Sequence, residues 1–354
     1  MKICIITLHS IHNPGSALQA YALQQYLETI DNEVNIIDYR PYYSILGKNK
    51  IKGIARCILF FKNEQKISKV YYDFQNKYFC LTKKYFSYSA LKNNPPDADI
   101  YIVGSDQLWN MDYDCGNDNA YYLRFVSNGI KVSYSTSVGK SVIPDDQISL
   151  IASKINDFQH IAVREKHTAD ELSKRLKRKV RWVCDPVFLL PAEHYQQITE
   201  EILRDPYVMI YLSPENDLLN EVVRSIKENT RYKVVLVGGN TTRCECDMHI
   251  KDVGPTQFLS LIRYAEIIVS SSFHATAFSH IFHKKFGTLI PSKNGERILD
   301  LLRMTGLEKH ALIRTEDIDT IYEEIDYSLV QKKLDDFINS SKNYLQNVIA
   351  GCTK

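Results

Sequence analysis

Short apolar runs recur along the chain, and amphipathic stretches separate them. Most of these runs are apolar at consecutive rather than alternating positions, which is typical of strands buried on both faces of a parallel sheet. Eight strands are predicted in this way: Lys2–Leu8, Glu33–Asp38, Asp99–Val103, Lys131–Ser135, His160–Val163, Tyr207–Leu212, Lys233–Val237 and Glu266–Ser270.

Helical spacing of apolar residues appears between several of these strands. It predicts helices over Ala17–Glu28, Asp217–Asn229 and Pro255–Tyr264. Buried strands that alternate with helices indicate an α/β protein whose strands form doubly wound parallel sheets. The series predicts two Rossmann-like sheets in succession.

The length of the chain, 354 residues, exceeds what one hydrophobic core usually organises. The stretch Asp185–Pro191 has two prolines around an extended apolar run, which favours an interdomain connection over a helix. We therefore expect domains at residues 1–184 and 185–325. A final helical segment, within residues 326–354, is expected to pack back on the first domain.

Composition narrows the class of protein. Apolar residues make up 44% and charged residues 24% of the chain, as in soluble globular proteins. The net charge of +2 indicates no particular partner. The cysteines are irregularly spaced, which favours free thiols over a disulfide framework, and the apolar run after the first residues is too short for a secretory signal. A cytoplasmic protein is expected.

One segment, Lys48–Lys84, differs in composition from the rest. It carries ten lysine or arginine residues against two acidic ones, with aromatic residues interleaved. Such a segment favours peripheral contact with anionic lipid at the inner membrane face. An ordinary helix with a solvated basic face is an equal alternative. No nucleic-acid-binding motif accompanies the charge, so nucleic acid is not expected as a partner.

Polar loops follow the first and third predicted strands, and ligands of doubly wound sheets bind beyond the carboxyl ends of strands. The first loop can form a tight turn with free backbone N–H groups, and the second places short polar side chains beside an indole ring. Such groups suit an anion or a sugar. Turn and helix-cap roles are the alternative. The residues concerned are Asn13, Gly15, Gln19, Ser105, Asp106, Trp109 and Asn110.

Arg164 stands at the carboxyl end of the predicted strand His160–Val163. The planar fork of an arginine suits a phosphate or a carboxylate, so Arg164 is a candidate anion-binding residue. A structural salt bridge to Glu165 or to another neighbour is the alternative.

The strand Glu266–Ser270 leads into three consecutive serines, and His274 follows in the first turn of the next helix. Unpaired N–H groups make that position favourable for an anion, and an imidazole there can accept or donate a proton. A structural histidine is the alternative. Cys244, Cys246 and His249 lack an evident fourth ligand, so no metal is expected.

Five segments in sequence order resemble the polysaccharide pyruvyl transferase family. They are Asn13–Leu23, Ile102–Asn110, Ala162–Glu165, Cys184–Leu190, and a last block that contains Gly254-Pro255, Phe258-Leu259, Ser272-Phe273-His274 and Phe278-Ser279. The resemblance implies a GT-B-like fold with two Rossmann-like domains facing across a cleft. It also implies phosphoenolpyruvate as donor substrate, with no cofactor and no metal.

The resemblance assigns roles to particular residues. It implies that His274 is catalytic, that Arg164 binds the donor, and that the acceptor saccharide meets the polar loops of the first domain. Some members have an arginine where this chain has Ser272, which we place with the donor-binding residues. Arg297 resembles a basic position in the branch of the family that shares the Ser-Phe-His sequence, and is expected to supply the missing positive charge.

These observations predict a pyruvyltransferase of capsule or exopolysaccharide biosynthesis. It would move the pyruvyl group of phosphoenolpyruvate onto hydroxyls of a hexose in a lipid-linked precursor, form a cyclic ketal and release phosphate. Two alternatives stay open, a nucleotide-sugar-dependent GT-B glycosyltransferase and a catalytically silent saccharide-binding protein.

Overall fold

A computed structural model describes residues 1–43, 61–212, 218–238, 244–291 and 295–351. The chain divides into two compact units, one formed by Met1–Leu189 with Phe337–Lys354, the other by Leu190–Asp336. Each unit contains one six-stranded sheet in which all neighbouring strands are parallel. The predicted fold class, two doubly wound α/β domains, is confirmed. The two units divide between Leu189 and Leu190, and the last helix contributes to both, while the expected domain limits of residues 1–184, 185–325 and 326–354 stay a prediction.

The first sheet has the strand order β2-β1-β3-β4-β5-β6. Its strands are β1 Lys2–Ile6, β2 Glu33–Ile36, β3 Ile100–Val103, β4 Ile130–Thr136, β5 His160–Val163 and β6 Arg181–Trp182. Its helices are α1 Pro14–Glu28, α2 Phe61–Tyr78, α3 Tyr88–Asn93, α4 Asp145–Lys154 and α5 Lys166–Leu176. Successive strands are added on one side of β1 and then on the other. Between β1 and β3 the strand order therefore reverses, which is where doubly wound sheets form a ligand crevice.

Helix α1 begins at Pro14, three residues before the predicted start at Ala17, and ends at Glu28 as predicted. The Asn13 side chain accepts a hydrogen bond from the backbone N–H of Ser16 at 3.0 Å. Pro14 occupies the first turn, where its missing N–H costs no hydrogen bond. Nearly the whole helix is buried, and most of its residues are small or apolar.

The second sheet has the strand order β12-β11-β10-β7-β8-β9. Its strands are β7 Tyr207–Tyr211, β8 Lys233–Val237, β9 Met248–Ile250, β10 Ile267–Ser270, β11 Lys285–Leu289 and β12 Ala311–Leu312. Its helices are α6 Ala192–Gln196, α7 Leu219–Asn229, α8 Pro255–Tyr264, α9 Phe273–Ile281 and α10 Glu296–Thr305. Here the order reverses between β7 and β10, so the equivalent crevice lies at Tyr211 and Ser270.

The eight predicted strands are all present, with small shifts at their ends, and four further strands are β6, β9, β11 and β12. Three of these are too short to give a pattern. In β11 the apolar run is interrupted by Gly287, where a Cβ atom would lie 2.6 Å from Cγ2 of Ile321. The glycine is thus required by close packing, although it weakens the strand signal in the sequence.

The last helix, α11 Tyr327–Gly351, contributes residues to both units. In the second unit the Tyr327 hydroxyl donates to the carbonyl of Lys284 at 2.5 Å. In the first unit the Ser341 hydroxyl accepts from the N–H of Cys184 at 2.9 Å, and the Tyr344 hydroxyl donates to the carbonyl of Ser133 at 3.1 Å.

Residues 48–60 of the basic segment Lys48–Lys84 lie outside the described residues. In its described part, Tyr71 and Phe74 on α2 are buried, whereas Tyr72 is 50% exposed. Lys69 forms an exposed ion pair with Asp73 at 2.9 Å. None of the helices in the described ranges has the length and apolar character that crossing a membrane requires.

Candidate functional site

The carboxyl edge of the first sheet holds a buried network of neutral polar side chains. The Thr7 hydroxyl donates to the Ser105 carbonyl at 2.9 Å and accepts from Nε2 of Gln19, also at 2.9 Å. The Gln19 side-chain oxygen accepts from the N–H of Ser105 at 3.0 Å. These bonds join the segments that follow β1 and β3 to helix α1, at the reversal of strand order.

Asp106 extends this network. Its carboxylate accepts from the Ser16 hydroxyl and, at 2.8 Å, from the N–H of Gln107. Gly104, two residues before Asp106, has φ +128°, and a Cβ atom there would lie 2.0 Å from the carbonyl oxygen of Tyr134. Glycine is therefore needed both for the turn and for the close approach of β4.

Arg164 completes the network with a charge that is already balanced. Its guanidinium lies 2.8 Å from Oδ2 of Asp185, and the two side chains are 2% and 0% exposed. It also donates to the Ser105 hydroxyl. The salt-bridge interpretation of Arg164 thus describes this structure, with Asp185 as the partner. Glu165 instead accepts from the Ser137 hydroxyl.

Trp109 belongs to the core. Its side chain is fully buried. Its ring stacks on that of Tyr122 at a centroid distance of 6.0 Å and meets that of Phe158 edge to face at a centroid distance of 6.3 Å. The indole N–H donates to the carbonyl of Tyr121 at 2.9 Å. This corrects the expectation for Trp109, because core residues cover the ring face that a sugar would need.

The other predicted acceptor residues differ in exposure. Asn13 is exposed, whereas Gly15, Gln19, Ser105 and Asn110 are buried, and Asp106 is 8% exposed. The Asn110 amide donates to the Gln107 side chain at 2.9 Å, close to the turn that the loop makes. The structure brings Gln19, Ser105 and Asp106 together, and acceptor binding by this set stays a prediction.

The carboxyl edge of the second sheet is built around the serines that follow β10. The Ser270 hydroxyl donates to the Tyr211 carbonyl at 2.7 Å and accepts from the N–H of Ser272 at 2.9 Å. Ser272 is the N-cap residue of α9, and its hydroxyl accepts from the N–H of Ala275 at 3.5 Å. These bonds fix the turn between β10 and α9, while the donor-binding role of Ser272 stays a prediction.

His274 and Arg297 both lie close to one aromatic ring, that of Phe273, in the second unit. His274, in the first turn of α9, is 6% exposed, and its ring centroid is 5.4 Å from that of Phe273. The guanidinium carbon of Arg297, in the first turn of α10, is 5.7 Å from the centroid of Phe273. The predicted catalytic histidine, Ser272 and the predicted substitute arginine therefore share one neighbourhood, at the amino ends of two helices that favour an anion.

Other histidines of this unit have packing roles. His280 is fully buried, its Nδ1 lies 2.8 Å from the Thr276 carbonyl, and burial lowers its pKa to about 4. His249 lies 2.9 Å from the Gly238 carbonyl. In the described ranges of the chain, no three His, Cys, Asp or Glu side chains are grouped so that they would hold a metal ion.

Two features were missed in the sequence. Asp185 lies in the predicted interdomain connection and in one of the segments that resemble the family, but no role was assigned to it, although an acidic residue in an apolar stretch signals a buried ion pair. His9 and Asp38 follow β1 and β2 and form a second buried pair, at 3.0 Å. Burial raises the pKa of the Asp38 carboxyl, but hydrogen bonds from His9 and Arg40 outweigh it and leave that pKa lowered. The signal in the sequence was that both residues come shortly after the end of a strand.

Comparison with known proteins identifies the family. The sequence profile of the family described as polysaccharide pyruvyl transferase matches residues 13–292, more than half of the chain. The chain belongs to this family. It is therefore a transferase, and polysaccharide pyruvylation is its general activity. The matched range includes Arg164, Ser272 and His274, whereas Arg297 lies beyond it. No curated protein matches the chain.

Solved structures with a similar fold are distant in sequence. The Methanocaldococcus jannaschii UDP-GlcNAc 2-epimerase, in complex with UDP-GlcNAc and UDP, shares 13% identity at TM-score 0.52, over 99% of each chain. The S. aureus MnaA–UDP co-structure shares 12% identity at TM-score 0.55, over 98% of this chain and 95% of that one. An alpha-glucosyltransferase in complex with UDP shares 8% identity at TM-score 0.53, over the whole of both chains. The pyruvyl transferase thus has a GT-B-type fold of two Rossmann-like domains.

Proposed function

We propose that this protein transfers the pyruvyl group of phosphoenolpyruvate to two hydroxyls of a hexose in a lipid-linked precursor of a cell-surface polysaccharide. The products are a cyclic ketal and phosphate. One observation carries this proposal beyond family membership. His274 and Arg297 occupy the first turns of two helices, and both lie within 6 Å of the centre of the same ring, Phe273, in the second unit.

The donor is a small molecule with a carboxylate and a phosphate. In the proposal, Arg297 binds one of these groups, because a guanidinium fork matches both in geometry and charge. The amino end of α9, capped by Ser272, adds the partial positive charge of its N–H groups. Phosphoenolpyruvate fits such a site better than a nucleotide, whose ribose hydroxyls usually meet an acidic residue.

The reaction proceeds through two additions at one carbon. A proton adds to the donor's methylene carbon, and positive charge develops at the neighbouring carbon that carries the phosphate. A sugar hydroxyl attacks that carbon and loses its proton. The bond from carbon to phosphate oxygen then breaks, phosphate departs, and the second hydroxyl closes the ketal with loss of its proton. His274 carries a proton between the attacking hydroxyl and the departing phosphate.

Arg164 takes a different part in this proposal from the one that the resemblance implied. Its charge is balanced by Asp185 inside the first unit, so binding the donor would require it to exchange that partner. We infer that Arg164 maintains the polar network that also holds Ser105, and that Arg297 meets the donor's charge.

A lipid-linked acceptor places the reaction at the inner membrane face, so we include peripheral contact through Lys48–Lys84 in the proposal. Its support is the excess of basic over acidic residues in that segment. Sedimentation with anionic vesicles should weaken as salt rises, since exposed charges are screened over about 10 Å at 0.1 M. Equal recovery with neutral vesicles would remove this part of the proposal.

The donor is tested by thermal shift, because a ligand that binds the native state raises the melting temperature. Phosphoenolpyruvate should raise it and UDP-glucose should not, and Arg297→Gln should abolish the shift. Arg303→Gln is the matched control, because Arg303 is on the same helix and pairs with Glu296 at 2.6 Å. Stabilisation by UDP-glucose alone would replace the proposal with a glycosyltransferase.

Turnover is tested by phosphate release from phosphoenolpyruvate with a lipid-linked galactoside or glucoside. Release should require both the donor and the acceptor, and mass spectrometry should show a ketal on the sugar. Acceptor binding with no phosphate release from any donor would instead indicate a silent saccharide-binding protein.

A further inference from the structure

A cavity of about 180 Å³ lies in the first unit, away from the residues discussed so far. It opens at the amino ends of β5 and β6, where His160 and Arg181 begin these strands. Arg164 follows the other end of β5, so the cavity and the buried network lie at opposite edges of one sheet. The end of α11 forms the remaining wall through Tyr344 and Asn347.

The cavity is lined by positive charge. Arg178, Lys179 and Arg181 belong to the wall, and Lys179 and Arg181 are exposed. Arg178 is held in place, because its guanidinium donates to the carbonyls of Phe158 at 2.6 Å and Ile155 at 3.2 Å. Those bonds position the cation without neutralising it.

Acidic partners occur beside the cavity but not within it. The preceding Lys174 and Arg175 pair with Glu171 and Asp145. By contrast, among the residues that the structure describes, no carboxylate oxygen lies within the 4.0 Å salt-bridge limit of Arg178, Lys179 or Arg181. Three cations within four residues therefore face a shared space, and none of them pairs with a carboxylate in the described part of the chain.

The opposite wall is aromatic and polar. The rings of His160 and Tyr344 meet edge to face at 6.5 Å, and the Tyr344 hydroxyl is fixed on the Ser133 carbonyl. Burial, and then the positive charge of Arg178, lower the pKa of His160, so this imidazole is neutral near pH 7. A neutral imidazole and the Asn347 amide offer hydrogen bonds without adding charge.

We propose that this cavity binds a small phosphate-bearing ligand, either free or as the headgroup of an anionic lipid. Uncompensated Arg and Lys side chains favour phosphate, and the aromatic wall suits a short carbon chain attached to it. The volume is below the roughly 300–1,000 Å³ of sites for drug-sized ligands, so a glycerol phosphate fits and a nucleotide is too large. This site is separate from the proposed donor site in the second unit.

Two probes distinguish the sources of phosphate. Binding of sn-glycerol 3-phosphate to the full-length protein is measured by calorimetry. Sedimentation is measured with phosphatidylcholine vesicles, with and without phosphatidylglycerol. The test variant is Lys179→Gln/Arg181→Gln, whose two side chains are exposed, so the fold should be retained. The control is Lys251→Gln/Arg231→Gln, which removes the same charge from two exposed positions of the second unit.

The test variant should lose at least about tenfold in affinity for whichever probe binds, because two charge-assisted contacts are removed, and the control should stay within about twofold. Binding of glycerol phosphate indicates a soluble ligand, and binding of phosphatidylglycerol vesicles alone indicates a lipid headgroup. Absence of binding to both probes, or equal loss in the test and control variants, overturns the proposal.

Discussion

The carboxyl edges of the two sheets have the same topology and different contents. Each lies where the strand order reverses, between β1 and β3 in one sheet and β7 and β10 in the other. The first edge holds a buried arginine whose charge is balanced by Asp185. The second holds a histidine and a partly exposed arginine around Phe273. Arg164, at a strand end, is buried beside a carboxylate and has a structural role, whereas Arg297, in the first turn of a helix, is the proposed donor-binding residue. Burial beside a carboxylate is the observation that distinguishes the two arginines.

The strongest test of this comparison is Arg164→Met. It leaves Asp185 as a buried charge without its partner, so the free energy of unfolding should fall by about 3–5 kcal/mol, measured in urea. Arg297→Gln should cost less than about 1 kcal/mol, because its side chain is partly exposed and a cation–π contact at such a position contributes about 0.5–1 kcal/mol. The double variant Arg164→Met/Asp185→Leu should recover much of the loss, and failure to do so would argue against the pair as the cause.

Replacement of His274 should affect turnover rather than stability. His274→Gln should lower kcat by about a hundredfold, equivalent to about 2.7 kcal/mol, because it removes proton transfer in the transition state. The melting temperature should stay within a few degrees. His283→Gln is the control, since His283 stacks on Tyr327 at the far end of the same helix region. Near-normal turnover in folded His274→Gln protein would end the catalytic assignment.

Acid should destabilise the second unit through His280. Burial lowers its folded pKa to about 4, and the unfolded value is about 6.5. Between these values the unfolded state binds more protons, so stability is lost as pH falls below about 6.5. The loss from pH 7 to pH 5 should be about 2 kcal/mol in urea titrations. In His280→Gln this pH dependence of the free energy of unfolding should disappear. An unchanged pH dependence would show that other groups cause it.

The smallest expected effect is that of metal removal. No metal-ligand set was found at a strand end in the sequence, so dialysis against a chelator should leave the rate of pyruvyl transfer unchanged. A loss of rate that magnesium, manganese or zinc restores would contradict this expectation and would move the chemistry of the second edge from His274 to a metal.

Much of the fold was predictable because strands buried on both faces leave continuous apolar runs, as in β3 and β10. The short strands β6 and β12 have two residues each and carry no such pattern. Side-chain partners were harder to predict. Nothing in the loop around Trp109 shows that Tyr122 and Phe158 cover its ring, because that packing depends on contacts distant in sequence. The position of His274 in the first turn of a helix was predictable, since a strand end and a helix start are both local signals.

The first unit consists of two separate stretches of the chain, and this has a consequence for folding during synthesis. Cys184 and Ser133 of the first unit form hydrogen bonds with Ser341 and Tyr344 of the last helix, yet all of Leu190–Asp336 is synthesised between Cys184 and that helix segment. A ribosome therefore delivers the complete second unit before the first has its last helical residues. During translation the first sheet must wait with this surface uncovered, whereas the second unit can fold from one uninterrupted stretch of chain.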